Sequence, residues 1–265
     1  MTASTEDASP TSADGRRAGR ELVLELVFRP LSNVLVPVLC RLGISPTAVV
    51  LANAATGLVA AAVLARGELV AAAVLLQLKT LLDNTDGQLA RATGRVTLVG
   101  RYLDTVADLV VNATVFAALG YVTGRPLLAL AGFVALTLLL AADFNATKLY
   151  RHALGEPTEE LPATGARAER ILTSIYAAVF APLDRALRAL ALRRFQGRGG
   201  YDAFTVTALA NLGLSTQLAA LGLCLVLGAP SAYLWFVLAC FAALVPLQLR
   251  AERRARQTAP RSVTR

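Results

Sequence analysis

Histidine, cysteine and lysine are all scarce in this chain, and each scarcity closes off a class of function. His152 is the only histidine among 265 residues, which leaves no histidine-based metal centre and argues against a Ser/His/Asp triad. Cys40, Cys224 and Cys240 form an odd set without metal-ligand spacing, two of them inside apolar runs, so neither a disulfide nor thiol chemistry is expected. Lysine occurs only at Lys79 and Lys148 against 24 arginines, a bias associated with GC-rich bacterial genomes. Charged residues of either sign make up only 17% of the chain against 55% hydrophobic, and the mean hydropathy of +0.56 lies beyond a typical soluble domain.

What is abundant is apolar runs. About 20 apolar residues span a bilayer as a helix, and six stretches qualify, at about 46–65, 68–91, 100–123, 126–149, 203–227 and 231–250. The expected fold is an all-α integral membrane protein, a six-transmembrane-helix bundle. Gly67, Gly124 with Pro126, and Gly228 with Pro230 punctuate short joints, so the helices they connect should pack as antiparallel neighbours. Small residues around Gly57 in the first span would let backbones approach closely. Two amphipathic stretches lie outside the spans and read as interfacial helices. One is Arg20 to Cys40, interrupted by Pro30 and Pro37. The other lies in the inner loop, where Leu172, Ile175, Tyr176, Val179, Leu183, Leu187 and Leu190 recur opposite Arg170, Asp184, Arg185 and Arg188, with Pro182 expected to kink or divide it. Tyr121, Tyr150, Tyr201, Tyr233 and Trp235 fall near span ends, as an aromatic belt would.

The division expected is a disordered tail at 1–19 with no cleavable signal peptide, a membrane domain at 20–256 and a fraying basic tail at 257–265. Of the 26 Lys and Arg, all but Arg66, Arg125 and Lys79 fall on one side of the spans. The positive-inside rule then puts both termini in the cytosol, and a bacterial source would place the protein in the plasma membrane. These arginines border apolar spans without a separate soluble domain, so the +8 charge reads as contact with anionic membrane lipids and not with nucleic acid.

Against this apolar background stand four aspartates. Asp83 and Asp86 are three apart and Asp104 and Asp108 four apart, so each pair shares one helical face. Left uncompensated at membrane depth they would cost on the order of 10 kcal/mol, less near the interface. With a rise of 1.5 Å per residue, Asp83 lies roughly 12 Å from Arg91 at the inner end of its helix and Asp108 roughly 12 Å from Gly100 at the start of the next. The two stripes therefore meet at matching depth near the cytosolic side. A structural ion network with Lys79, Arg91 and Arg101 is one way to offset them. Four converging carboxylates are better matched to hard divalent cations, Mg²⁺ or Mn²⁺, which complete their shells with substrate phosphates. Gly87 and Ala90 leave room beside the first stripe, and Arg91 offers a planar donor fork to a phosphate. Asn53, Lys79 and Asn112 are also polar within membrane depth, either supporting the aspartates or joining helices.

The pattern Asp83-x-x-Asp86-Gly87-x-x-Ala90-Arg91, eight residues, Gly100-x-x-x-Asp104-x-x-x-Asp108 resembles the signature of the CDP-alcohol phosphatidyltransferases. The resemblance implies that Asp83, Asp86, Asp104 and Asp108 hold two divalent cations, that Asp108 also serves as general base, and that Gly87, Ala90, Arg91 and Gly100 hold the CDP moiety. It further implies attack by an alcohol acceptor on the β-phosphorus of a CDP-alcohol donor, most simply CDP-diacylglycerol, with release of CMP, and it makes a homodimer the common assembly. Pro46-Thr47 stands where the family often has Pro-Asn, which leaves a nucleotide contact from that helix open.

The acceptor is less legible. Asp143, Asn145, Lys148 and Arg151 lie at the inner end of the fourth span, where Lys148 and Arg151 would receive a phosphorylated polar alcohol or simply anchor a solvated helix end. A CDP-linked polar head group passed to a lipid acceptor uses the same signature. Two readings from other classes, an aspartate-rich membrane prenyltransferase and a divalent-cation transporter, are separated by product: only CDP-alcohol transfer releases CMP.

Overall fold

The computed structural model describes residues 19–156, 167–195 and 200–258; most of the expected N-terminal tail, most of the stretch 155–165, whose Gly, Pro and Glu content predicts a polar loop, and most of the C-terminal tail lie outside them. Among the described residues the chain is all helical. A π-helical turn, Leu24–Phe28, leads into α1 (Arg29–Arg41), followed by α2 (Pro46–Ala65), α3 (Leu69–Ala92), α4 (Leu98–Thr123), α5 (Pro126–Ala153), α6 (Arg167–Phe195), α7 (Ala203–Ala210), α8 (Leu214–Val226), α9 (Pro230–Ala242) and α10 (Leu244–Thr258). Start signals are local. Ser45 accepts from the Ala48 N–H ahead of Pro46, Thr97 accepts from the Gly100 N–H, and Asp202 accepts from the Thr205 N–H.

Five helical segments are long and apolar enough to cross a membrane: Pro46–Ala65, Leu98–Thr123, Pro126–Ala153, Ala203–Val226 and Pro230–Gln257. Helix α3 matches them in length, with 24 residues, but Lys79, Asp83, Asp86 and Arg91 dilute its apolarity. The last two segments are not straight rods. The fourth breaks at Asn211–Gly213, where the Asn211 side chain turns back to the Thr207 carbonyl at 2.8 Å. The fifth breaks at Ala243, three residues before Pro246, whose ring crowds the carbonyl one turn back.

Close packing is set by glycines. A Cβ on Gly57 of α2 would lie 2.4 Å from Val111 Cγ1 of α4, and one on Gly222 of α8 would lie 2.4 Å from Gln77 Nε2 of α3. That Gln77 amide donates to the Leu218 carbonyl at 3.0 Å, tying α3 to α8. The main core, which includes Leu64, Leu76, Leu119, Leu136, Leu221, Leu225 and Leu234, occupies the end of the bundle away from the aspartates. A smaller cluster of Ala146, Ala191, Phe195, Tyr201, Leu209 and Ala251 closes the other end.

Four sequence expectations need correction. The matched depth of the two aspartate stripes predicts adjacent antiparallel helices, but α3 and α4, joined by a short turn through Gly94 (φ 64°), do not pack backbone to backbone: α2 lies against both and holds them apart. Tyr233 and Tyr201 are not belt residues. Tyr233 is buried with its ring 5.9 Å from Phe116, and Tyr201 is buried with its hydroxyl donating to Gln248, whereas Tyr121 and Trp235 are exposed. Pro182 does not divide α6, which runs unbroken through it. Asp184, expected on the polar face of α6, points inward, accepting from Asn145 Nδ2 at 3.0 Å and the Tyr176 hydroxyl at 2.8 Å.

Candidate functional site

Because α2 separates α3 from α4, the aspartates face one another across the gap instead of lying in a helix interface. Asp83, Asp104 and Asp108 each present a carboxylate oxygen within 4.8 Å of the others. Asp86 is buried beside this trio but is not part of it; its Oδ2, like Oδ1 of Asp104, is buried without a partner. The floor comes from α2, where Asn53 Nδ2 donates to Asp83 Oδ1 at 2.9 Å. Lys79, fully buried one turn before Asp83, brings its ammonium 2.6 Å from Asp108 Oδ1 and 3.3 Å from Asp83 Oδ1. The ion network considered as an alternative is therefore half realised, at two carboxylates of four.

The donor set is entirely oxygen and largely anionic, and an unpartnered buried carboxylate oxygen is costly unless something binds it. A hard divalent cation fits both facts. Among the described residues, no histidine or cysteine joins this cluster to select another metal.

Beyond the aspartates, the Arg91 guanidinium folds back along α3, so that a Cβ on Gly87 would meet Nη1 at 3.5 Å. Arg91 also lines a groove of about 500 Å³ between α1 and α3, with Arg29, Asn33, Asn84 and Gln88. Ala90 is half-buried on the same helix. Gly100 stands in the first turn of α4, where a Cβ would sit 3.2 Å from the Thr97 cap hydroxyl, so this glycine has a structural reason of its own. Lys148 and Arg151 are exposed on α5; Lys148 lies 6.0 Å over the Phe144 ring and Arg151 lies 3.8 Å from Glu156. Asn145 is committed to α6, and Asp143 Oδ1 is buried without a partner.

Two features near the site escape sequence reasoning. The first is the strap Gly19–Leu22, laid over the break between α7 and α8. Gly19 N–H donates to Thr207 Oγ1 at 3.1 Å, Leu22 N–H donates to Asn211 Oδ1 at 2.8 Å, and Asn211 Nδ2 donates to the Arg20 carbonyl at 2.9 Å. Glu21 Oε1 accepts from Thr216 N–H at 2.7 Å and the Thr216 hydroxyl at 3.0 Å, capping the first turn of α8. Burial raises the Glu21 carboxyl above its ordinary range, the Thr216 and Ser215 donors pull it back in part, and the Asp83 charge raises it further. The second is the clasp of Asp184, Asn145 and Tyr176. Tyr176 also meets the ring of Tyr102 at 4.8 Å, two residues from Asp104, so α6 is fastened beside the second aspartate pair.

Comparison with known proteins identifies the family. The family model described as CDP-alcohol phosphatidyltransferase matches residues 43–248. A phosphatidylinositol phosphate synthase of Streptomyces avermitilis is 30% identical over 187 residues, covering 66% of this chain and 76% of that protein. A bifunctional IPC transferase and DIPP synthase of Thermococcus kodakarensis is 35% identical over 112 residues, 39% of this chain and 25% of that protein. The model match takes in every helix from α2 to α9 and both aspartate pairs, and the chain belongs to the CDP-alcohol phosphatidyltransferase family, divalent-cation-dependent membrane transferases of substituted phosphate groups in phospholipid biosynthesis.

Proposed function

We propose that the protein transfers a phosphatidyl group from CDP-diacylglycerol to a phosphorylated polar alcohol of the inositol phosphate class, releasing CMP. The observation that carries this reading is the convergence of Asp83, Asp104 and Asp108 on one gap, with Asp86 beside them. The activity for which the Streptomyces relative is named supports the choice of acceptor. Residues 20–256 form the membrane domain in this reading, with α3 as a sixth span. Its charges are shielded by α1, α2 and α8, which pack around it. The exposed apolar residues of α1, including Leu31, Val34 and Val38, and of α6, including Ile175 and Val179, support an interfacial position for these helices. The arginine distribution supports a cytosolic side for both termini and the site, and a bacterial source would make that membrane the plasma membrane.

Asp83, Asp86, Asp104 and Asp108 would hold two divalent cations, Mg²⁺ or Mn²⁺, which supply charge neutralisation at the diphosphate and its leaving oxygen. The chain's own groups do the rest. Gly87 and Ala90 leave the α3 surface open for the nucleotide, with Gly100 at the turn of the partner helix, and Arg91 offers its fork to a phosphate. Asp108 Oδ1 is tied to Lys79, which leaves its second oxygen to take the acceptor's hydroxyl proton. The acceptor oxygen then bonds to the β-phosphorus as the bridging P–O bond breaks, and the pair of electrons leaves with CMP. Lys148 and Arg151 meet the acceptor's phosphate.

The test is a panel of CDP-donors and acceptors with purified protein, read by CMP release. CDP-diacylglycerol with inositol phosphate should turn over fastest. Asp108→Asn should lower CMP release by at least about 10²-fold, the range for losing a general base, while the protein still inserts and folds. Turnover by the variant near the wild-type rate, or release of pyrophosphate in place of CMP, would refute the assignment.

A further inference from the structure

A lysine stem is long enough to carry its charge toward water when nothing inside the fold wants it. Lys79 does the opposite. It is 0% exposed, and its ammonium is aimed into the aspartate gap, 2.6 Å from Asp108 and 3.3 Å from Asp83. A buried charge is retained only when paired and hydrogen-bonded, so these two contacts are the reason it stays there. They also divide the site. Asp83 and Asp108 are compensated by a charge that belongs to the chain, whereas Asp86 Oδ2 and Asp104 Oδ1 have no partner at all.

We propose that Lys79 is a resident counter-cation that stands in for one of the two divalent ions in the substrate-free protein, so that the free protein takes up a single divalent ion on the Asp86 and Asp104 side. The charge balance supports this. Four carboxylates and one ammonium leave three negative charges; one divalent ion leaves one, and a second would overshoot. The second ion becomes favourable only with the added negative charge of the CDP diphosphate, at which point Lys79 yields Asp83 and Asp108. Lys79 is thus a positioning residue that makes full metal loading depend on the donor and holds the acidic gap together beforehand. The inference rests on the reading of the four aspartates as metal ligands.

The experiment is Mn²⁺ binding in detergent without nucleotide, followed by electron paramagnetic resonance, together with thermal melting with and without Mn²⁺. Wild type should bind one Mn²⁺ per chain. Lys79→Met should bind a second, or bind Mn²⁺ at least tenfold more tightly. It should melt lower than wild type in the absence of metal and gain more from Mn²⁺. Lys79→Arg keeps the charge and should keep wild-type stoichiometry, which guards against a Met variant that fails to fold. Equal stoichiometry and affinity in wild type and Lys79→Met, with the same melting response to Mn²⁺, would overturn the role of Lys79 while leaving the aspartate site standing. Wild type that binds no Mn²⁺ at millimolar concentration would overturn the metal site itself, and this inference with it.

Discussion

Replacing Gly57 by alanine tests whether the spacing of α2 and α4 sets the chemistry. The new Cβ would lie 2.4 Å from Val111 Cγ1, 3.0 Å from Cγ2 and 3.3 Å from Cβ. Because the Val111 Cβ itself is among the crowded atoms, and because valine in a helix has one favoured rotamer, turning the side chain gives no relief. Ordinary carbon contacts lie at about 3.5–4.0 Å, so α4 must retreat by roughly 1 Å. Alanine gains up to about 1 kcal/mol in helix propensity over glycine, against about 1–3 kcal/mol for overpacking. The net loss of stability is therefore small, about 0–2 kcal/mol on those same scales. The effect on activity should be larger. Val111 is one turn beyond Asp108, and a rigid shift of α4 carries Asp104 and Asp108 away from Asp83, opening the 4.8 Å cluster. A misplacement of about 1 Å costs on the order of 10²-fold in rate. The assay is CMP release at saturating Mn²⁺ beside melting in detergent, for Gly57→Ala, Val111→Ala and the double variant. The double variant should recover most of the lost turnover, since the alanine at 111 has no Cγ atoms to meet. Gly57→Ala with turnover within about twofold of wild type would show that the gap tolerates what this geometry forbids, and would refute the reasoning.

Two further outcomes follow from particular contacts. Glu21 is held with its carboxyl raised above the unfolded value, so its contribution to stability is fully present below the unfolded carboxylate range and is lost as pH rises through the folded value. The difference in melting temperature between wild type and Glu21→Gln should thus shift against wild type as pH climbs above about 4.3, and a pH-independent difference would remove Glu21 as its source. Replacing Lys148 and Arg151 together with alanine should raise the acceptor's KM by about tenfold or more with the donor's KM unchanged, the loss of one or two charge-assisted hydrogen bonds; an unchanged acceptor KM would return both residues to a purely anchoring role.

The aspartate pairs were legible because helical spacing alone puts residues three and four apart on one face, and a short turn fixes their relative depth. What spacing could not reveal is that the turn at Gly94 joins two helices held apart by a third. That depends on Gly57, whose missing side chain lets α4 close on α2. The strap was invisible for a different reason. Glu21 and Thr216 are 195 residues apart, and nothing in the run Arg-Glu-Leu-Val distinguishes a cap for a distant helix from the polar edge of a surface helix. Asp184 misled the helical wheel, which counts every charge as outward; its partners Asn145 and Tyr176 come from α5 and from two turns back along α6. Tyr233 misled the span-end count, because a position near a helix end is not a position near solvent when its ring packs on Phe116.

The helix least like a membrane span is the one that holds most of the site. Lys79, Asp83, Asp86 and Arg91 lower the apolarity of α3 below that of the five clear spans, and a charged segment of this kind is stable at membrane depth only where protein, not lipid, surrounds it. The sequence of α3 shows how that is arranged. Its first half, Leu69 to Leu76, is apolar and joins the main core, while Gln77 reaches α8 and Lys79 starts the polar half. The close approach at Gly222 seals α8 against α3 at the level of Gln77, just before that polar half begins. Asn53 from α2 then meets Asp83, and Ser32 of α1 receives the Thr85 hydroxyl at 3.1 Å. These neighbours thus turn a polar group or an absent side chain toward α3, and Asp86 Oδ2 on α3 and Asp104 Oδ1 on α4 are left buried without a partner. A bundle built to bury an ordinary span would have filled the gap between α3 and α4 with leucine. This one brings Asp83, Asp104 and Asp108 together there, the all-oxygen donor set that suits a hard divalent cation.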